Sequence, residues 1–175
     1  MFTQKKLKLK EIDWRKIDWQ EELKNNINSL DNLKTYIDLT SEEEQKLREV
    51  IDNNPMNIPR YYLSLIQDNT ENDPIRKLCM PSPDELTVAG MMGETTQDPY
   101  GDDKHNKGNG VLHKYPYTAL IVATDYCSMY CRHCFRKAIV GLPNDKTAKN
   151  FERAAEYIKK HEEITNVVIS GGDPC

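Results

Sequence analysis

Three cysteines lie within eight residues of one another, at Cys127, Cys131 and Cys134. Thiolates bind zinc and iron–sulfur clusters, so the spacing Cys-x3-Cys-x2-Cys indicates a metal centre. Three ligands would leave one iron of a four-iron cluster open to another chelator, much as catalytic zinc sites keep one open position. The chain has five cysteines and no apolar segment after its basic amino terminus. We therefore expect a cytoplasmic protein with reduced thiols.

Two other interpretations of these cysteines stay open. The first is that the cysteines pack in a core, because positions i, i+4 and i+7 share one face of a helix and free cysteine is often buried. The polar neighbours Asp125, Arg132 and Arg136 favour metal binding over packing. A zinc site completed by His133, in an interaction module without enzymatic activity, is the chemical alternative. Cys79 lies outside the motif, and we predict that it is a packed thiol.

The residues around the motif predict an α/β fold. Residues 118–123 form an apolar run typical of a strand covered on both faces, and residues 166–169 predict a second buried strand. A helical pattern at residues 150–161 separates them, which predicts a βαβ unit with parallel strands. Functional sites collect at the carboxyl ends of such strands. The cysteines follow the first strand, and the sequence Ser-Gly-Gly-Asp follows the second.

The first half of the chain predicts helices and irregular structure. Apolar residues between positions 21 and 33 share one helical face, and Thr40 with Glu43 matches a capping box. Residues 68–110 are rich in proline and glycine and predict an irregular wrapping segment. We expect a helical extension with this segment at 1–110 and the α/β region at 111–175. Two strands do not bury their own faces, so we expect this chain to be a fragment.

Composition limits the classes of partner. The chain has 175 residues, 30% charged residues and a net charge of −4, values typical of a soluble protein of one to two domains. No apolar run approaches the roughly 18 residues of a membrane span. Because the net charge is negative, the protein has no overall positive potential that would attract nucleic acid. We therefore expect neither a membrane nor a nucleic acid as partner.

Several segments resemble the lysine 2,3-aminomutase family of radical S-adenosylmethionine (SAM) enzymes. The resemblance runs from about residue 14 to residue 174, and its most similar segments are 61–66, 74–77, 112–116, 124–136 and 170–173. It implies a helical extension followed by the first βαβ unit of a partial (β/α)6 barrel. It also implies an isomerase that moves the α-amino group of an amino acid, expected to be L-lysine, to the β-carbon. A [4Fe–4S] cluster, a 5′-deoxyadenosyl radical from SAM, and pyridoxal 5′-phosphate (PLP) would serve that reaction.

The resemblance also implies site residues and partners. The binding residues that it implies are Cys127, Cys131 and Cys134 for the cluster; His133, Gly171, Gly172 and Asp173 for SAM; Lys114 and Tyr115 for PLP; and Arg136 for the substrate carboxylate. Standing alone, the glycines are typical of a tight turn, and the histidine and arginine of a solvated surface. We expect an amino-acid substrate, a reductant for the cluster and a homo-oligomeric full-length enzyme.

The chain departs from the family's pattern at Thr118, Phe135 and residues 138–141. Thr118 stands where lysine aminomutases carry an arginine, which removes one charge for the PLP phosphate. Phe135 is similar to the residue of the relatives that modify a lysine of elongation factor P. A lysine within a protein is therefore one alternative substrate. Free glutamate and free arginine are the others. The lysine that binds PLP is expected after Cys175, and we therefore expect these 175 residues alone to be inactive.

Overall fold

The computed structural model describes residues 2–68, 70–86, 98–142, 147–149 and 151–174, with backbone only at positions 4 and 5. The chain divides into two compact units. Unit 1 comprises Met1–Glu94 and Ser128–Cys134, and unit 2 comprises Thr95–Cys127 and Phe135–Cys175. The predicted division into residues 1–110 and 111–175 stays a prediction.

Unit 1 is built from short helices around one apolar core. The core is centred on buried aliphatic side chains that include Ile27, Leu33, Ile58, Leu63 and Ile66. In the part of the chain that the structure describes, no helix is both long and apolar enough to cross a membrane. The helices are α1 (Gln4–Leu9), α2 (Trp19–Leu23), α3 (Leu30–Lys34), α4 (Ser41–Asn53), α5 (Arg60–Leu65) and α6 (Pro74–Cys79), with a 3₁₀ helix at Trp14–Lys16.

The single helical face predicted for residues 21–33 is wrong. Helix α2 ends at Leu23, and Ile27 then pairs with Ile58 in an antiparallel bridge, with N–O distances of 2.8 and 3.0 Å. Both isoleucines are fully buried, so the apolar spacing reflects burial in a shared core and not one continuous helix. The two asparagines at positions 25 and 26 favour a turn at this point.

Two helix starts in unit 1 are explained by their caps. The predicted capping box is confirmed: the Thr40 hydroxyl accepts from the Glu43 amide at 3.2 Å, and the Glu43 carboxylate accepts from the Thr40 amide at 2.8 Å. Helix α6 lies inside the segment predicted to be irregular, which corrects that prediction. Asp73 caps it by accepting from the Arg76 amide at 2.9 Å, and Pro74 occupies its first turn.

Unit 2 is a mixed α/β unit with a three-stranded sheet. Strand β2 (Thr118–Thr124) is the central strand of the sheet. On one side it pairs antiparallel with β1 (Val111–Tyr115), and on the other it pairs parallel with β3 (Asn166–Gly171). The parallel βαβ unit is confirmed, with Ala119 opposite Val167 in the register. Strand β1 was not predicted, because His113 and Lys114 interrupt its apolar pattern. The elements are α7 (Asp102–His105), β1 (Val111–Tyr115), β2 (Thr118–Thr124), α8 (Phe151–Lys159) and β3 (Asn166–Gly171).

The two parallel strands differ in burial. Strand β2 is covered on both faces, as predicted, since Ala119 and Val122 are each 0% exposed and belong to separate apolar clusters. The prediction that β3 is buried is wrong for the described residues: Val167, Val168 and Ile169 are 44%, 45% and 64% exposed. Apolar β-branched residues favour a strand, but their pattern does not specify what packs against it.

Candidate metal and cofactor site

The side chain of Arg132 anchors the middle of the cysteine loop within unit 1. Its guanidinium donates to both carboxylate oxygens of Glu85, at 2.9 and 2.8 Å. It also donates to the backbone carbonyl oxygens of Asn54 and Pro55, at 3.2 and 2.9 Å. The side chains of Arg132 and Glu85 are only 7% and 13% exposed, respectively. This planar, bidentate pairing is the geometry that arginine provides and lysine does not.

The beginning of the loop in unit 1 is held by two asparagines. The amide groups of Asn26 and Asn57 both donate to the Ser128 carbonyl oxygen, at 2.9 and 3.2 Å. The Tyr130 amide in turn donates to the Asn57 carbonyl oxygen at 3.0 Å. Met129 packs against the apolar core. The backbone of this segment is therefore fixed before the second cysteine is reached.

The motif cysteines carry half-buried thiols. In unit 1, the Cys134 amide donates to the Cys131 carbonyl oxygen at 3.1 Å, which closes a tight turn around the exposed His133. Burial raises the pKa of Cys131, and the neighbouring Cys134 raises it further. Cys127, in unit 2, is also half-buried. A metal bound by any of these thiols would displace its proton, and cysteine thiolates are the ligands that iron–sulfur clusters use.

Cys79 differs from the motif cysteines in its burial. It is 0% exposed within the core of unit 1, and its thiol donates to the Ile75 carbonyl oxygen at 3.1 Å. Burial raises the pKa of the Cys79 thiol to about 12. The prediction of a packed thiol is confirmed.

In unit 2, two glycines allow the end of β3 to pack on the residues that follow β2. Gly171 has φ = +128°, and a Cβ there would lie 2.3 Å from the Thr124 carbonyl oxygen. A Cβ on Gly172 would lie 2.1 Å from the Tyr126 carbonyl oxygen. The amides of Gly172 and Asp173 donate to those two oxygens, at 2.7 and 2.8 Å. Both glycines are thus required by the packing of the chain itself, and the Asp173 side chain is exposed.

Arg136 lies against the same end of β3. Its Nη1 donates to the Ser170 hydroxyl at 2.7 Å and to the Gly171 carbonyl oxygen at 3.3 Å, and its Nε is 4.0 Å from an Asp102 carboxylate oxygen. The side chain is only 10% exposed. Unit 2 therefore brings together two of the predicted site residues, Arg136 and Gly171. Sequence reasoning missed Asp102, since nothing in its local sequence indicates this contact.

In unit 2, one hydrogen bond and two ring contacts connect Lys114 to Arg136 through Tyr100 and Phe135. Lys114 Nζ donates to the Tyr100 carbonyl oxygen at 2.8 Å. The Tyr100 ring meets the Phe135 ring edge-on at 4.9 Å, and the Arg136 guanidinium lies 5.0 Å from the centre of the Phe135 ring. Lys114 and Tyr115 are exposed at the end of β1. Lys114 and Arg136 are therefore connected through the Tyr100 backbone carbonyl and the rings of Tyr100 and Phe135.

Known proteins with similar sequences are 2,3-aminomutases. No protein-family model matches the chain. The chain is 38% identical over 164 residues to L-lysine 2,3-aminomutase of Clostridium subterminale and 40% identical over 162 residues to that of Acetoanaerobium sticklandii. It is 35% identical over 164 residues to glutamate 2,3-aminomutase of Clostridioides difficile. These alignments cover 93%, 92% and 93% of the chain.

The chain belongs to the lysine 2,3-aminomutase family. It spans 38%, 38% and 37% of the lengths of these three relatives, a little over a third of each.

Replacing Gly171 by alanine tests the packing at the end of β3. The new Cβ would collide with the Thr124 carbonyl oxygen, and the φ of this residue is unfavourable for alanine. For these two reasons we expect the free energy of unfolding to fall by about 3 kcal/mol. The matched control is Gly108→Ala, which also has a positive φ of +81° but has no atom within 4 Å of the added Cβ. We expect a loss of about 1 kcal/mol for the control. Equal losses in urea unfolding would contradict the packing argument.

Proposed function

We propose that this chain provides the cluster-binding part of a radical SAM aminomutase, which moves the α-amino group of an amino acid to its β-carbon. The observation that carries the proposal is the loop Cys127-x3-Cys131-x2-Cys134, with half-buried thiols, in a chain similar to 2,3-aminomutases. When bound, a [4Fe–4S] cluster with SAM supplies the radical that removes hydrogen from the substrate, and PLP carries the migrating amino group.

The residues proposed for the cluster and SAM have chemistry suited to those roles. The three thiolates would hold the cluster, and the exposed His133 would lie against the adenine of SAM. The backbone of Gly171 and Gly172, held in place by its packing on Thr124 and Tyr126, would lie beside the methionyl amino group of SAM. The exposed carboxylate of Asp173 would pair with the SAM ammonium group.

The residues proposed for PLP and substrate are cationic or aromatic. Lys114 and Tyr115 would contact PLP, with Lys114 pairing with its phosphate. A phosphate is a stronger acceptor for an ammonium than the neutral Tyr100 carbonyl that Lys114 now contacts. Arg136 would pair with the substrate carboxylate, for which its guanidinium provides two parallel N–H donors. The hydroxyl of Ser170 and the carboxylate of Asp102 would keep that guanidinium oriented.

The same proposal includes the wider architecture. The parallel β2–α8–β3 unit suits the first βαβ unit of a partial (β/α)6 barrel, and the exposed side chains of β3 suit a strand that further elements would cover. A cytoplasmic location, a reductant for the cluster and a homo-oligomeric full-length enzyme belong to this proposal as well.

L-Lysine is the proposed substrate, and glutamate is the second candidate. The two lysine 2,3-aminomutases compared above are 38% and 40% identical to the chain, whereas the glutamate 2,3-aminomutase is 35% identical. Other lysine 2,3-aminomutases are 34% to 36% identical, so percent identity does not separate the two substrates. Lysine is proposed first because most of the similar enzymes are named for it, and glutamate stays the second candidate.

Anaerobic reconstitution with iron and sulfide tests the cluster. We expect a brown protein with about four irons per chain and, after reduction with dithionite, an electron paramagnetic resonance signal that changes when SAM is added. Cys127→Ser, Cys131→Ser and Cys134→Ser should each lose most of the iron, because each removes a thiolate ligand. The matched control Cys79→Ala should keep it, since that thiol is packed in the core. Bound zinc without iron or sulfide would instead favour the zinc-binding interaction module.

A competition assay tests the substrate. It uses the natural gene product with SAM, PLP and dithionite, because the 175 residues cover a little over a third of the relatives. With lysine and glutamate at equal concentrations, we expect mass spectrometry to detect β-lysine as the main product. Predominant β-glutamate would establish the second candidate, and the absence of both products would reject free lysine and free glutamate as substrates.

A further inference from the structure

A second group of metal-ligating side chains lies in unit 2, outside the proposed cofactor site. His113 is in the middle of β1, and His161 and Glu163 follow the end of α8. One ligand atom from each of these residues lies within 4.8 Å of the other two. The histidines are half-buried and the glutamate is exposed. Neither the cysteine motif nor the proposed aminomutase chemistry uses any of the three.

Backbone carbonyl groups determine which nitrogen of each imidazole is available to a metal. His161 Nδ1 is 2.7 Å from the Tyr157 carbonyl oxygen, and His113 Nε2 is 3.3 Å from the Pro116 carbonyl oxygen. A carbonyl oxygen only accepts, so these two nitrogens carry the protons. The lone pairs are then on His161 Nε2 and His113 Nδ1. Histidine ligands in metal sites are oriented in this way, by donating their other N–H to a carbonyl or carboxylate.

Tyr157 fixes the orientation of both rings. Its ring stacks on the His161 ring with centroids 4.0 Å apart and planes 24° apart, and it meets the His113 ring edge-on at 5.9 Å. Its hydroxyl lies 3.0 Å from His113 Nδ1, to which it donates. Both rings are therefore already positioned, with the lone pair of His113 Nδ1 accepting from the Tyr157 hydroxyl.

We propose that His113, His161 and Glu163 bind a divalent transition-metal ion of the zinc class. Two imidazoles and one carboxylate are an established ligand set for zinc, and a fourth tetrahedral position would be taken by water. Ligand atoms about 2.1 Å from such an ion are roughly 3.4 Å apart, so the group must close slightly from 4.8 Å. Glu163 is exposed, so its side chain can rotate towards the two imidazoles. At His113 Nδ1 the ion would displace the Tyr157 hydroxyl, which would then hydrogen-bond to water. The bound ion would link β1 to the end of α8.

Zinc titration by isothermal calorimetry tests this site in the whole chain. Cys127, Cys131, Cys134 and Cys175 are replaced by serine to remove competing thiolates, and circular dichroism establishes that each variant is folded. The same titration of the wild-type chain, with its accessible cysteines alkylated, provides an independent measurement. We expect one zinc per chain in both preparations.

Variants of the ligands and their neighbours identify where the zinc binds. His161→Ala should weaken zinc binding by about 100-fold or more, and Glu163→Gln by about 10-fold or more. The matched controls, His105→Ala and the exposed neighbour Glu162→Gln, should bind as tightly as the unsubstituted background. Absence of zinc binding, or affinities in His161→Ala and Glu163→Gln equal to the controls, would overturn the proposal. The iron content of the reconstituted chain does not bear on this result.

Discussion

The buried ion pair between Arg132 and Glu85 is the interaction on which the cysteine loop depends. A guanidinium that is 7% exposed loses most of its hydration, and an unpaired charge in that position costs several kcal/mol. Both carboxylate oxygens of Glu85 and two backbone carbonyl groups replace that hydration. Glu85 also accepts from the Ser82 amide at 3.1 Å, so the carboxylate is itself held in position. Since Arg132 lies directly between Cys131 and His133, the residue that anchors the loop is part of the ligand motif.

The two units position their functional residues by different means. In unit 1, the cysteine turn is held by charged and amide side chains that reach it from distant parts of the sequence. In unit 2, the end of β3 is held by direct backbone contact, which Gly171 and Gly172 permit because any Cβ would collide with the facing carbonyl groups. The two proposed metal sites also differ in chemistry. Soft thiolates favour an iron–sulfur cluster, whereas the imidazoles of His113 and His161 with a carboxylate favour zinc.

Features with a local physical cause could be predicted from the sequence. The capping box at Thr40, the strand β2 and the helix α8 each follow from residues close together in the chain. The parallel pairing of β3 joins distant residues, but the order strand, helix, strand predicts it. Contacts between distant residues could not be predicted in the same way. The bridge between Ile27 and Ile58 replaced a predicted helical face, and the pairing of Arg132 with Glu85 joins residues 47 positions apart. The grouping of His113 with His161 depends on β1, a strand whose polar residues obscure its pattern.

The most direct test of this account is to replace Glu85 by glutamine and to measure stability and iron content together. The substitution keeps the shape of the side chain but leaves the buried guanidinium without its counter-charge, so we predict a loss of about 3 kcal/mol in the free energy of unfolding. We also predict a clear decrease in the iron retained after reconstitution, because Cys131 and Cys134 lose their anchor. Glu42→Gln, which removes the carboxylate of an exposed ion pair with Lys46, is the matched control and should leave both quantities unchanged. Wild-type stability and wild-type iron content in Glu85→Gln would contradict the account.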